Sequence, residues 1–395
     1  MKKECGEMLI PSEVQGLLGN VTSYRRELHQ IPELGLEEVK TTVYLREKLL
    51  SFGITEIYSL LDTGLVAVLR SEKPGKVLGF RTDIDALPIN EETGVSFASQ
   101  QVGRMHACGH DGHMATMLGF AEYLSQHPEA IRGTIVLIFQ PAEEGPGGAQ
   151  LLVDAGLIEK FGIEQMVGLH VFPELPEGVV GCRPNAMMAR NGEVVITVKG
   201  TSAHGAQPHL GADAILASAA IIQGMHSILS RNIDPLGNAV LTFGKITGGD
   251  AMNIIAGEVK IEGTMRAFDD TIYDTMTERI TLLAQEIAKG YGCEAEVYFN
   301  HMYRVVHNQA QMVTVLEDLV GSSYQEIAPV MLAEDFSMYQ QVVPGMFFFV
   351  GIRNEEKGYI HPLHSSKMNF DEKNLLVGIT CYVQLIEGLN KGANG

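Results

Sequence analysis

Residues 104–118, RMHACGHDGHMATML, place His106, Cys108, His110 and His113 within eight positions. Three other segments carry related chemistry: QPAEEGPGG with Glu143 and Glu144, GLHVFPELPEG with His170, and HPLHSSKMNF with His364. Thiolate, imidazole and carboxylate together are the donor set of a borderline transition metal. Singly, each residue has an ordinary explanation. His170 reads as a hydrogen-bonded core histidine, Glu143 and Glu144 as a solvated acidic loop, and Cys108 as a small buried residue. Two features favour the joint reading. The glutamates sit among Gly and Pro, where no solvated helix face is on offer, and the four segments hold equivalent places among the predicted elements. Jointly they predict a metal site. Cys108 and His110 are two apart, so an extended loop would turn both toward one small volume.

Those places follow from the flanking elements. GLVAVLR, GKVLGFRTDIDALP and QMVGLHVF read as strands, and GTIVLIFQP as a continuous apolar strand of the kind buried on both faces of a parallel sheet. TSYRRELHQIPELGLEEVKTTVYLREKLLSFG, HMATMLGFAEYLSQH and GAQLLVDAGLIEKFG read as helical. Alternating strands and helices predict an α/β domain, with an open, mixed and largely parallel sheet flanked by helices. Ligands of such sheets bind beyond the carboxyl ends of the strands, where all four segments fall. From 187 to 299 the order becomes β-α-β-β-α-β, that of a ferredoxin-like α+β module. The α/β character resumes at 300 and runs through GMFFFVGI to a last helix, NLLVGITCYVQLIEGL. The expected organisation is a discontinuous catalytic, metal-binding domain, 1–186 and 300–395, interrupted by a smaller inserted domain, 187–299.

A chain of 395 residues, 45% hydrophobic and 19% charged, suits two domains. A net charge of −19 without any basic run argues against nucleic acid and membrane surfaces as partners. GMFFFVGI is too short to span a bilayer. MKKECGEMLIPSE has no apolar stretch behind its lysines and does not read as a secretory signal. Five scattered cysteines (5, 108, 182, 293, 381) argue against a disulfide framework and for a reducing cytoplasm. The four outside the histidine cluster read as small packing residues. The absence of a G-x-S-x-G elbow, a P-loop or a G-x-G-x-x-G argues against nucleophile-dependent hydrolases and nucleotide enzymes.

RRELHQIPELGLEE, FRTDIDALPINEETG, MHACGHDGHMATMLG, FQPAEEGPGGA, GLHVFPELPEG, GTSAHGAQPHLGADAI, AEDFSMY and HPLHSSKMNFDE span nearly the whole chain. In these motifs the sequence resembles the dinuclear-metal aminoacylase and carboxypeptidase clan. It is most similar to the amidohydrolase branch, that of hippurate hydrolases, auxin-conjugate hydrolases and N-acetyldiaminopimelate deacetylases. The resemblance implies a zinc-exopeptidase-like main domain and an inserted lid that also serves dimerisation. It implies that Cys108, His110, Glu144, His170 and His364 hold two divalent ions (zinc, manganese, nickel or cobalt) and that Glu143 is the general base. The implied reaction is metal-dependent hydrolysis of the amide bond of an N-acyl amino acid by a metal-activated water. The acyl group would be acetyl or benzoyl, or the substrate N-acetyldiaminopimelate. A dinuclear-metal dipeptidase or carboxypeptidase is the alternative activity. A metal-binding regulatory relative without turnover would lack a ligand or the base, and none is missing. Many clan relatives carry carboxylates where Cys108 and His110 stand. The softer thiolate changes metal preference and adds a liability to oxidation.

Asp83 and Asp85 of RTDIDALP read either as acceptors that orient imidazole ligands or as solvated turn residues. His106 and His113 read as supporting or packing residues, and His29 as a packed one. In the inserted module, the resemblance implies that His204 of SAHGAQPH reaches the active site, often that of a partner subunit, and stabilises the oxyanion. His209 shares that loop. Asn253 of GDAMNIIAG is implied in holding substrate. Arg266 is the best cation for a substrate carboxylate, with Arg353 as its competitor. The expected assembly is a homodimer through the lid, and lid closure is expected to complete the site.

Overall fold

The computed structural model describes residues 8–391, so Cys5 and the start of the N-terminal segment lie outside it. The strands are β1 (Ile57–Tyr58), β2 (Leu65–Arg70), β3 (Val77–Asp83), β4 (Thr134–Gln140), β5 (Gln165–Pro176), β6 (Val180–Cys182), β7 (Asn185–Met188), β8 (Arg190–Lys199), β9 (Ala239–Gly248), β10 (Glu258–Ala267), β11 (Glu294–His301), β12 (Val306–Asn308), β13 (Tyr324–Glu326) and β14 (Gly345–Arg353). The α-helices are α1 (Ser12–Gln15), α2 (Leu18–His29), α3 (Val39–Ser51), α4 (His110–Gln126), α5 (Gly148–Asp154), α6 (Leu157–Phe161), α7 (Ala214–Ser227), α8 (Asp270–Gly290), α9 (Ala310–Val320) and α10 (Lys373–Asn390). They form two compact units. One comprises Met1–Asn185, His307–Ala328 and Asp335–Gly395, the other Ala186–Val306 and Pro329–Glu334.

The larger unit is built on an eight-stranded sheet, order β1-β2-β4-β3-β5-β14-β6-β13. β3 runs parallel to β4 and β5, and β14 parallel to β5. These central strands are buried almost throughout, which accounts for their unbroken apolar runs. Antiparallel pairing enters through β2 with β4 and β14 with β6. α4 packs against α2, α10 and β3. Phe80 of β3, Phe120 of α4 and Tyr382 of α10 meet there, with ring centroids 4.9, 5.0 and 5.3 Å apart. All three are at most 1% exposed. Burying a ring of this size stabilises by roughly 1.5–3 kcal/mol, so this contact anchors α4, whose first turn carries His110. GAQLLVDAGLIEKFG is two helices rather than one, because Gly156 adopts φ 79 between α5 and α6. α9 and the short strands β6 and β13 were not legible from periodicity.

The smaller unit has an antiparallel sheet of order β11-β8-β10-β9, with α7 and α8 packed on it. Numbered within the unit, the order is 4-1-3-2, as a ferredoxin-like module requires. Its core joins Ile221 and Met225 of α7 and Ile280 and Ala284 of α8 to Val194, Ile196 and Val198 of β8. Asp213 and Asp269 cap the two helices, each accepting two backbone N–H groups. The unit extends past the expected 187–299. β11 runs to His301, and 329–334 joins by hydrogen bonds from Val330 to the Met187 carbonyl (2.9 Å) and from Ala189 to the Leu332 carbonyl (2.9 Å). No helix among the described residues is long and apolar enough to cross a membrane.

Candidate metal centre

The Cys-Gly-His segment is a turn, not the extended loop its spacing suggested. Gly109 caps α4 at φ 92, and a Cβ there would lie 2.5 Å from Val171 Cγ2. Only glycine fits both the left-handed backbone and the close approach. The chain reverses at this residue, and α4 begins at His110 rather than beyond the cluster, so His110 and His113 share its first turn. The glutamates ride on a pinned loop after β4. The Ala142 carbonyl accepts the N–H groups of Gly147 (3.0 Å) and Gly148 (2.9 Å), and Ala142 N–H donates to Glu38 (2.9 Å). A Cβ on Gly148 would sit 1.7 Å from the Pro141 carbonyl oxygen. His170 lies within β5, which runs on to Pro176, and pairs with Phe349 of β14. His364 takes φ 63 and donates its N–H to the Ala107 carbonyl (2.9 Å).

These local devices bring the five expected donors together. Cys108, His110 and His170 form one group, and Cys108, Glu144 and His364 another, with the donor atoms of each within 4.8 Å of one another. Cys108 belongs to both. His110, Glu143 and Glu144 form a third group of the same tightness. Cys108 Sγ is 3.4 Å from His170 Nε2, and His364 Nε2 is 3.1 Å from Glu144 Oε1. The tautomers suit ligation. His110 Nδ1 donates to the Asp85 carbonyl (2.8 Å) and His170 Nδ1 to the Val171 carbonyl (2.6 Å), turning each Nε2 inward. His110 Nε2 is buried and has no hydrogen-bond partner.

The surrounding charge is ordered by buried side chains. Asp83 and Asp85 are both buried, not solvated turn residues. Asp85 accepts the Glu144 N–H (2.9 Å). Asp83 accepts from His113 Nδ1 (2.7 Å) and from Arg81 (2.8 Å). His113 Nε2 accepts the Val171 N–H (3.0 Å), so both its nitrogens are engaged in support. Arg81 also donates to Gln140 (2.8 Å) and Asp335 (2.7 Å). Sequence reasoning gave Arg81 and Asp335 no part. The available signal was a lone arginine inside the apolar strand KVLGFRTD. His106 is buried with neither ring nitrogen hydrogen-bonded, and it joins none of the metal-compatible groups among the described residues.

Burial, then the Glu144 and Glu143 carboxylates, push the Cys108 thiol well above its ordinary range, so a thiolate there calls for a cation beside it. Burial, reinforced by His113, keeps His170 well below the usual imidazole range and therefore neutral, as a ligand must be. Burial opposes charge on His110 as well, but Asp83 and Asp85 outweigh it and raise its pKa to about 10. That much negative potential around Nε2, with the converging sulfur, nitrogen and oxygen donors, fits a divalent cation.

The other predicted residues belong to the smaller unit, except Arg353. In the smaller unit the His204 and Asn253 loops are adjacent. Gly205 N–H donates to the Asn253 carbonyl (2.8 Å), and Ile255 N–H to Ala203 (2.8 Å). His204 is exposed, its Nδ1 accepting the Ala206 N–H (3.0 Å), and His209 is exposed on the turn Pro208–Leu210. Arg266, on β10, is half-buried and donates to the Met331 carbonyl (2.6 Å). Arg353, in the larger unit, pairs with Glu355 (3.1 Å).

Residues 79–388 match the sequence pattern of Peptidase family M20/M25/M40. The chain belongs to this family. Membership makes it a hydrolase of amide bonds. It is 35% identical over 367 residues to the N-acetyldiaminopimelate deacetylase of Geobacillus sp. (strain WCH70), covering 92% of this chain and 96% of that protein. It is 37% identical over 353 residues to the N-acetyldiaminopimelate deacetylase of Bacillus subtilis (strain 168), covering 88% and 92%. Among solved structures it is similar to the Bacillus subtilis YXEP protein, described as a dinuclear metal binding peptidase of the M20 family. The TM-score is 0.84 at 31% identity, over 95% of this chain and 99% of that one.

Proposed function

We propose that this protein is a metal-dependent amidohydrolase that removes the acyl group from an N-acyl amino acid of the N-acetyldiaminopimelate type. The observation that carries the reading is the convergence of the two donor groups that share Cys108, with Glu143 beside them. The near full-length similarity to N-acetyldiaminopimelate deacetylases supports the substrate class. Cys108, His110, Glu144, His170 and His364 would hold two divalent cations. Such ions, when bound, acidify a water molecule and polarise the amide carbonyl. Glu143 takes the proton of the attacking water and delivers it to the leaving nitrogen. Glu144 would serve the ions and Glu143 the water, although both carboxylates converge on His110, the three donor atoms lying within 4.8 Å of one another. His204 donates an N–H to the carbonyl oxygen as charge develops there. Asn253, His209 and Arg266 contact the substrate, and the guanidinium fork of Arg266 matches its α-carboxylate.

We assign the chain to a reducing, cytoplasmic compartment, which the four buried free thiols among the described residues support. We also assign it a homodimeric state through the smaller unit. β9 is an exposed edge strand, Ile215 and Leu216 of α7 are 51% and 55% exposed, and a groove of about 210 Å3 between Ile222, Met225, Leu241 and Phe243 lies along them. Sedimentation should return a dimer, and a monomer at all concentrations would refute the assignment.

The activity itself is tested on a panel of N-acyl amino acids varied in acyl group and side chain. Hydrolysis should vanish with chelator and return with divalent metal. Turnover indifferent to chelator would reject the reading.

A further inference from the structure

His364 stands apart from the other donors. Its side chain is 52% exposed, where Cys108 and His170 are each 6% exposed, and it holds a left-handed backbone that non-glycine residues rarely adopt. Two residues on, its loop is fastened at two points to the segment that follows β3. Glu92 N–H donates to the Ser366 carbonyl (2.8 Å), and the Ser366 hydroxyl donates to Glu92 Oε2 (2.6 Å). The neighbouring Glu91 anchors that segment in turn. Its carboxylate accepts the Ser99 N–H (2.6 Å) and lies 3.2 Å from His29 Nε2. His29 Nδ1 is 2.8 Å from Asp111, the residue after His110 in the first turn of α4. A continuous path, Ser366–Glu92–Glu91–His29–Asp111, thus ties the loop bearing His364 to the turn bearing Cys108 and His110.

We propose that Glu92 and Ser366 are positioning residues for His364, a clip that holds an exposed loop imidazole where it joins Glu144 and Cys108 around a cation. The inference rests on the reading of His364 as a ligand. Groups that orient metal ligands are typically worth 10–100-fold in affinity. The clip acts at one remove, through the backbone of residues 364–366, so the low end applies, about tenfold.

The test is a cobalt(II) titration of the chelator-stripped full chain, followed by visible absorption and equilibrium dialysis. Wild type should take up two ions in two steps. Ser366→Ala and Glu92→Ala should each weaken one step about tenfold, leaving the other step and the melting temperature of the metal-free protein unchanged. The double variant should be no worse than either single one, and Ser366→Thr should restore the wild-type step. Variants that bind both ions as wild type does, or that weaken both steps together with a lowered melting temperature, would overturn the clip alone. A wild type that binds no cobalt would overturn the ligand reading, and the clip with it.

Discussion

The two halves of the proposed metal centre are held by different means. His110 and His170 are buried, and each has its Nδ1 committed to a backbone carbonyl, so the ring orientation is set before any ion arrives. His364 is half exposed, and its place depends on a left-handed loop residue, on one N–H bond to Ala107 and on the Glu92–Ser366 contacts. Preorganised donors pay less ordering cost on binding. The Cys108–His110–His170 group should therefore take the first ion, and the Cys108–Glu144–His364 group the second and weaker one.

The strongest way to break this contrast is through Cys108, which both groups share. Cys108→Ala should abolish uptake of both ions and reduce turnover below detection, as metal analysis of dialysed protein would show. Retention of either ion at wild-type affinity would contradict the sharing. Glu143→Gln should lower kcat by about 10³-fold while metal content stays at two, whereas Glu144→Ala should lose metal. If the two variants lost metal equally, the division of labour between these neighbours would fall. His364→Ala should leave one ion bound, and His170→Ala should remove the tighter one. Calorimetric titration separates these cases. In the smaller unit, His204→Ala should depress kcat with metal content unchanged.

A smaller effect concerns His29, which supports both halves. Burial opposes its charge, but Asp111 and Glu91 outweigh burial and raise its pKa to about 9. A group whose pKa is raised on folding contributes stability that is complete below its unfolded value, about 6.5, and is lost as pH rises through about 9. The melting temperature of the metal-free protein should decline across that window. His29→Gln should flatten the decline.

Much of this was legible in the sequence because its causes are local. Cys108, Glu143 and Glu144 sit in turns and loops whose glycines and prolines announce them, His110 opens the helix that follows Gly109, and His170 follows an apolar strand run. What escaped was set by non-local geometry. The left-handed Gly109 converts an apparent extended loop into a helix cap, because Val171, far along the chain, leaves no room for a side chain. Ser366 and Glu92 are 274 residues apart, and Arg81 and Asp335 are 254 apart, so neither pairing leaves a pattern in any local window. The smaller unit outran its expected limit for the same reason. Residues 329–334 join it by backbone hydrogen bonds that composition does not register.

The central claim is placement, and anomalous scattering from a crystal of the cobalt-loaded protein tests it most directly. Two peaks are expected, one coordinated by Cys108, His110 and His170 and the other by Cys108, Glu144 and His364, with Glu143 beside them and bound to neither. A single peak elsewhere, or both peaks clear of Cys108, would contradict it.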